Sequence, residues 1–544
     1  NPFVPFPPAA LEGSLTARFS EQVARHHGRL ALAMGAERLT YEALDRAANR
    51  VAHAVLDRLG GGNEPVVLLL PQSVGQVTAV LGALKAGAIY VPLDPTHPEA
   101  RLADAIGGAE ARLLLSLAAH PDLARRAAPR AEVLALDARG ALGADTPPTV
   151  DVEPDAGAYI FYTSGATGRP KGVLDTHRNV LHNIMRYTNT LHLCADDRLT
   201  LLQGPTFSGA VSSLFGALLN GAAVFPFDVA RDGAQHIAEW LAAQAITIYH
   251  SVPALFRLAA GAGRPLPAVR VVRLEGDRAT RSDLALFRER FGPDCVLVNG
   301  LGATECGLVR QFFFTAREPV PEGVVPIGAP VEDMDVVVLD DAGRPAAAGE
   351  AGEIAVRSAY LASGYWKQPA LTAARFVTEP GRPDTRLYGT GDVGRLRPDG
   401  MLELLGRRDG HAKVRGQRVE VAEVEAVLLA LPGVAEAVAL VREDEPGAAR
   451  LVAYLVPANG RALPVSEIRR ALAPRLPDVM VPSAFVVLDR LPVDGNGKID
   501  RRALPAPLEG HPVAGPSARQ APRTPRETEI ARMWTAVLGV DDVG

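Results

Sequence analysis

Apolar runs of strand length, alternating with helical stretches, limit the folds open to this chain more than any other feature. VVLLL (66–70), AIYVPL (88–93) and ARLLLSL (111–117) have the length and composition of buried strands. RLTYEALDRAANRVAHAVLDRL (38–59) and VGQVTAVLGALKAG (74–87) carry helical spacing of apolar residues. The alternation recurs over residues 200–300, where AVFPF, ITIYHSV, VRVVRL and CVLVNGL are the candidate strands. This order predicts an α/β fold, with mostly parallel sheets and helices packed on their faces. Past residue 330 the texture shifts to short alternating strands with Asp-Gly and Ala-Gly turns, as in DVVVLDDAGRP and GRLRPDGMLELLG. That stretch predicts a small antiparallel or barrel-like region.

A new alternation starts near Arg408: a helix at VAEVEAVLLAL, strands at AEAVALV and LVAYLVP, and a helix at SEIRRALAPRL. It reads as a separate α+β unit with its own core. The organisation expected is therefore a large core over 1–408, a smaller subdomain over 409–505, and a Pro/Ala/Gly-rich linker over 506–524. Residues 525–544 hold RETEIARMWTAVLGV, an amphipathic helix expected to begin a further domain.

Composition removes several function classes. The 57 basic and 62 acidic residues leave a net charge of −5, without the basic footprint of a nucleic-acid binder. No apolar run reaches membrane-spanning length and the N-terminal segment lacks a signal-peptide pattern, so no membrane partner is expected. Three cysteines, Cys194, Cys295 and Cys306, form no disulfide framework and suit a reducing cytoplasm.

The strongest chemical signal is AYIFYTSGATGRPKGV (158–173). An apolar run ends in Thr163, Ser164, Gly165, Ala166, Thr167 and Gly168, and Lys171 follows three positions later. Glycines let backbone N–H groups turn around an anion, hydroxyls add donors, and the lysine supplies charge, which makes a phosphate cradle. Gly172 after Lys171 rules out the G-x-x-x-x-G-K-[ST] loop. Taken alone, the stretch reads equally well as a solvated hairpin. Four more segments add to it. LVNGLGATECG (297–307) sets Asn299, Thr304 and Glu305 on a loop after an apolar strand, where a carboxylate could hold Mg²⁺ against phosphate oxygens. LYGTGDVGRL (387–396) presents Asp392 after a Gly-Thr-Gly turn, suited to ribose hydroxyls. GRRDGHAKVRGQRVEVAEVE (406–425) is dense in glycine and charge at the break between the two units. LPVDGNGKIDRRAL (491–504) puts Lys498 in a glycine-rich turn from which a long cation can reach a cleft.

Together with LKAGAIYVPLDP (84–95), GEIAVRSAYLASGYW (352–366) and LPDVMVP (476–482), these segments resemble the adenylation domains of nonribosomal peptide synthetases. Those domains belong to the acyl-adenylate-forming superfamily that includes acyl-CoA ligases and luciferases. The resemblance runs from about Leu15 to Leu504. It implies a large N-terminal core of stacked, mostly parallel sheets, a small barrel-like region, and a smaller mobile α+β subdomain. It also implies ATP-dependent activation of a carboxylic acid as acyl-AMP with release of pyrophosphate. The acyl group would then pass to the phosphopantetheine thiol of a carrier domain in cis, among other synthetase modules. TPRETEIARMWTAVLGV resembles the first helix of such a carrier, whose attachment serine is not in this chain.

By this resemblance Thr163, Ser164, Gly165, Thr167, Gly168 and Lys171 hold the β- and γ-phosphates, and Thr304 and Glu305 act at the α-phosphate and Mg²⁺, with Glu305 the metal ligand. Asn299 lies beside adenine, Asp392 on the ribose, Arg407 just before the hinge and Asp409 at it. Lys498 bridges the substrate carboxylate and the α-phosphate. The substrate pocket threads onto Phe207, Ser208, Gly209, Ser212, His250, Arg273, Glu275, Gly300, Leu308 and Val309.

Three positions depart from the pattern. Ala166 stands where a hydroxyl is usual, and Leu301 where a tyrosine often lies against adenine. Ser208 stands where an aspartate usually holds the substrate's α-ammonium, and a hydroxyl does not offset the burial of that cation as a carboxylate does. The substrate expected is therefore not a standard α-amino acid. Glu275 either receives a displaced ammonium or pairs with Arg273 as scaffold, and the sequence leaves both open. Three rivals stand beside the main reading: an acyl- or aryl-CoA ligase, the front end of a carboxylic acid reductase, and an inactive nucleotide-binding scaffold.

Overall fold

A computed structural model describes residues 2–117, 121–136, 143–163, 170–322, 324–407, 412–414, 417–419, 421–444, 449–458, 463–492, 501, 503–507, 524 and 526–529. The chain falls into two compact units: Asn1–Gly165 with Arg169–Val419, and a second that contains Glu420–Gly544. The hairpin Ala412–Val414/Gln417–Val419 thus goes with the larger unit, although the sequence places the break before it, at Arg408.

Besides that hairpin, the described residues of the larger unit form three sheets. A seven-stranded sheet runs in the order Gly364–Tyr365, Lys171–Thr176, Gly157–Thr163, Ile89–Leu93, Pro65–Leu69, Leu113–Leu117, Glu132–Leu136. Its last five strands are parallel, and its first three pair antiparallel. A nine-stranded sheet has parallel Val271–Leu274, Ile248–Ser251, Arg198–Leu201 and Ala223–Pro226 at its centre. Toward one end lies the antiparallel hairpin Val296–Ala303/Gly307–Thr315, edged by Ala329–Pro330, and the other end is the antiparallel pair Leu30–Met34/Glu37–Thr40. The expected change of texture after residue 330 is a five-stranded sheet, antiparallel throughout.

Local chemistry accounts for the element ends. Thr40 caps the helix Tyr41–Leu59 by accepting from the Ala43 N–H, so the helical pattern read from residue 38 begins as the strand Glu37–Thr40 instead. Ser73 and Thr176 cap Val74–Lys85 and His177–Leu191 the same way. Every residue of Val74–Lys85 is buried, and its one cation, Lys85, meets Asp45 at 2.8 Å.

The smaller unit has a three-stranded sheet of Val434–Arg442, Arg450–Pro457 and Ala484–Val487, with helices Val421–Leu429 and Val465–Leu472. Val438, Val452, Tyr454 and Leu491 lie in its core. Of the helix expected over 526–540, residues 526–529 are described and helical, with Thr524 and Glu527 in reciprocal capping bonds. No helix among the described residues is long and apolar enough to cross a membrane.

Candidate active site

Thr163 ends one strand and Lys171 begins the next, and antiparallel register sets them opposite each other. Ser164, Gly165, Thr167 and Gly168, which complete the expected cradle, lie outside the described residues, as does Ala166. The Thr163 hydroxyl is buried with no partner among the described residues, an arrangement that suits a donor kept for a ligand.

The turn of the hairpin Val296–Ala303/Gly307–Thr315 carries Thr304 and Glu305. Gly307 closes it at φ 61°, in the left-handed region that glycine enters without strain. Glu305 is only 1% exposed. Its Oε1 accepts from Lys171 Nζ at 3.0 Å and from the Tyr365 hydroxyl at 3.2 Å. Lys171 also donates to the Tyr365 oxygen at 2.8 Å and stands 4.3 Å above its ring. Burial, and then the Glu305 charge, raise the Tyr365 phenol above its ordinary range, so it remains a neutral donor at pH 7. Tyr365 is missing from the site expected from sequence. It is next to last in the GEIAVRSAYLASGYW segment, and the only signal in the sequence is that a buried tyrosine needs a partner for its hydroxyl.

Two expected placements change. Asn299 lies inside the strand Val296–Ala303, not on a loop after it, and its amide donates to the Pro326 carbonyl at 3.0 Å. Asp392 lies within the continuous strand Arg386–Leu396, where the Gly-Thr-Gly run continues the strand instead of turning it. The Asp392 N–H donates to Thr390 Oγ1 at 3.0 Å, and Arg407 is opposite Asp392 in the register. Asp409 and Lys498 lie outside the described residues. Leu301 is buried in an apolar cluster with Val309 and Val336.

Several of the residues threaded as a substrate pocket lie at or just past the carboxyl ends of the central parallel strands, near the usual ligand position in open α/β sheets: His250 and Arg273 are next to last in theirs, and Glu275 follows one. His250 and Arg273 pair in register on adjacent strands, and Glu275 directly follows Leu274. Arg273 grips Glu275 with two bonds of 2.8 Å, from Nε to Oε1 and from Nη2 to Oε2. The Tyr187 hydroxyl donates to Oε1 at 2.7 Å, and the guanidinium lies 3.6 Å over the Tyr187 ring. Arg273 Nη2 also donates to Ser212 Oγ at 2.8 Å. His250 Nε2 is 3.6 Å from Glu275 Oε2, while its Nδ1 meets Ser213 Oγ at 2.8 Å. A side chain on Gly300 would begin 2.7 Å from Glu275 Oε1, so glycine there is what admits the carboxylate.

Burial alone would raise the Glu275 pKa. The Arg273 guanidinium reverses this and, with the other contacts, takes it to about 2. Burial, then Arg273, push His250 down to about 3, so it is neutral at pH 7. Ser208 Oγ and Thr304 Oγ1 share a hydrogen bond of 2.8 Å, which brings the pocket position next to the loop that carries Glu305. A side chain on Gly209 would begin 2.5 Å from the Phe207 ring. Leu308 and Val309 are buried in two separate apolar clusters, and the Leu308 carbonyl accepts from Arg186. Tyr187 and Ser213 are further members that the sequence reading does not contain. Both lie on helices whose apolar spacing conceals a polar contact.

Comparison with known proteins identifies the family. The AMP-binding enzyme family matches residues 19–366, and the AMP-binding enzyme C-terminal domain matches residues 423–498. Tyrocidine synthase 3 of Brevibacillus parabrevis is 34% identical over 536 residues, covering 98% of this chain and 8% of that protein. The dimodular nonribosomal peptide synthase of Bacillus subtilis (strain 168) is 36% identical, covering 98% of this chain and 22% of that protein. A solved holo NRPS protein containing adenylation and PCP domains, bound to a vinylsulfonamide inhibitor, has a TM-score of 0.81 at 27% identity, covering 98% of this chain and 88% of that one. The chain belongs to the AMP-binding enzymes, as an acyl-adenylate-forming ligase of the nonribosomal peptide synthetase adenylation type. ATP is its nucleotide substrate. The chain spans only a small part of the synthetases it matches.

Proposed function

We propose that this chain activates a carboxylic acid other than a standard α-amino acid as acyl-AMP, then passes the acyl group to the phosphopantetheine thiol of a carrier domain within a multimodular synthetase. The observation that carries the reading is the contact of Lys171, Glu305 and Tyr365, with the Thr163 hydroxyl, which has no partner among the described residues, at the strand end opposite Lys171. A substrate carboxylate oxygen attacks the α-phosphorus and pyrophosphate leaves. The carboxylate is already ionised near pH 7, so no base is needed. What opposes the step is bringing one anion onto a polyanion, and positioning with charge neutralisation overcomes it. Lys171 and Thr163 receive the leaving phosphates together with Ser164, Gly165, Thr167 and Gly168. Thr304 acts at the α-phosphate, Asn299 near adenine and Asp392 at the ribose. Lys498 bridges the reacting carboxylate and phosphate, and Asp409 is the pivot, after Arg407, for the change to thiol transfer.

The residues suit Mg²⁺. Glu305 offers a buried hard oxygen, and among the described residues no group of three or more His, Cys, Asp or Glu could hold a metal, so triphosphate oxygens would complete the shell. Bound there, the ion supplies charge neutralisation of the phosphates.

ATP–pyrophosphate exchange over a panel of amino, hydroxy, oxo and aryl acids tests the reading, and exchange with none of them would contradict it. In the same assay Lys498→Ala should slow adenylation by about 10²–10³. Thioester formation from supplied acyl-AMP should fall much less, and equal loss in both half-reactions would remove the role given to Lys498.

A further inference from the structure

We infer that the acid taken by this pocket is short and carries no ammonium group, neither at C2 nor displaced toward Glu275, and that a 2-hydroxy or 2-oxo acid fits best. This rests on the adenylation reading above and narrows its substrate. Glu275 is the one carboxylate among the threaded pocket positions, and it is already taken. Its Oε1 accepts from Arg273 Nε and the Tyr187 hydroxyl, and its Oε2 accepts from Arg273 Nη2. An ammonium brought to the remaining face of Oε2 would stand beside the Arg273 guanidinium, like charge against like. That guanidinium cannot withdraw into water: the side chain is 2% exposed, stacked on Tyr187 and tied to Ser212. The pair is electrically closed, and the neutral His250 beside it adds no charge.

Size follows from the same contacts. Arg273, Glu275, Ser212, His250 and Gly300 are threaded as the walls of one pocket, and they lie against one another there. The Glu275 carboxylate occupies the space a side chain at Gly300 would need. At the other end, Ser208 and Thr304 present two hydroxyls 2.8 Å apart. One hydroxyl spends its proton on the other, which leaves a donor and spare lone pairs that match a neutral oxygen on C2. Tyr187 is a positioning residue here, because it acts on substrate through Glu275.

The test is pyrophosphate exchange by the wild-type protein with lactate, pyruvate, propionate, alanine and 3-aminopropionate, alongside their six-carbon homologues. Lactate or pyruvate should exceed alanine and 3-aminopropionate by about 10²-fold or more, the discrimination expected where a buried cation finds no counter-ion. Best exchange with an amine-bearing acid, or with a six-carbon homologue, would overturn the inference and leave adenylation standing. Exchange with none of these acids, nor with any aryl acid, would overturn adenylation and the inference with it. Arg273→Gln supplies the second arm, because it frees the Glu275 charge. The ratio of 3-aminopropionate to lactate exchange should rise at least tenfold, and an unchanged ratio would show that the pair does not exclude the amine.

Discussion

The larger unit contains two clusters of the same three components, a carboxylate, a tyrosine and a cation, and they differ in which cation is used. Lys171 meets Glu305 through one contact of 3.0 Å, with 13% of its side chain exposed. Arg273 meets Glu275 through two parallel contacts of 2.8 Å, with 2% exposed. An ammonium on a four-carbon stem is a point charge that can exchange one anion for another. A planar guanidinium that grips both oxygens and stacks on a ring is fixed in place. On the proposed function, the first cluster would open when phosphates arrive, and the second would stay closed beside the substrate. Like composition does not mean like role: the number of contacts and the access to water separate a working pair from a wall.

The largest expected effect is on stability. Glu275→Ala strands a buried guanidinium and should cost about 3–5 kcal/mol, read as a lower denaturant midpoint for the larger unit. Glu305→Ala should cost clearly less, because Lys171 can turn toward water; equal losses would break the contrast. Lys171→Ala should show in activity as well. It should slow pyrophosphate exchange by about 10²–10³, or roughly 2.7–4 kcal/mol of barrier, and should also cost stability, because the Glu305 carboxylate it leaves behind is buried. Smaller effects should sharpen the difference. Tyr365→Phe removes a hydroxyl that touches both charges and should cost about 0.5–1.5 kcal/mol, seen mainly in the KM for MgATP. Tyr187→Phe should cost a similar amount in stability and leave the KM for MgATP unchanged.

A separate effect concerns pH. His250 is held down to about 3 by burial and then by Arg273, and His177 to about 4 by burial. Both bind a proton more weakly folded than unfolded, so the stability they allow is complete above their ordinary pKa near 6.5. It is lost as pH falls from there toward 3 to 4, by up to about 1.4 kcal/mol per pH unit for each group. Glu275 adds a second phase. Its depressed pKa gives stability that is present above about 4.5 and lost toward about 2. Melting temperatures at pH 7.5, 6.0 and 5.0 should fall in order, and His250→Gln should flatten the descent.

Much of this could be read from the sequence, and the failures share one physical cause. The strands at 66–70, 88–93 and 111–117 were legible because burial on both faces writes a continuous apolar run. Lys171 and Glu305 were singled out by the residue types beside them, a glycine-rich stretch and a carboxylate after an apolar run, although their contact with each other spans 134 positions. Asn299 and Asp392 were misplaced because glycine reads as a turn while tertiary pairing holds it in a strand. Tyr187 and Tyr365 could not be read because their value lies in partners far along the chain: Tyr187 is 88 positions from Glu275, and Tyr365 is 60 from Glu305. The Glu275 ambiguity needed geometry for the same reason, since sequence shows that Arg273 is near but not that it takes both oxygens.

The most direct test is a crystal structure of the protein with Mg²⁺ and a non-hydrolysable ATP analogue. Lys171 should leave Glu305 for a phosphate oxygen, while Arg273 and Glu275 remain joined at about 2.8 Å. Nucleotide bound with the Lys171–Glu305 contact intact, or with the Arg273–Glu275 pair opened, would contradict the account.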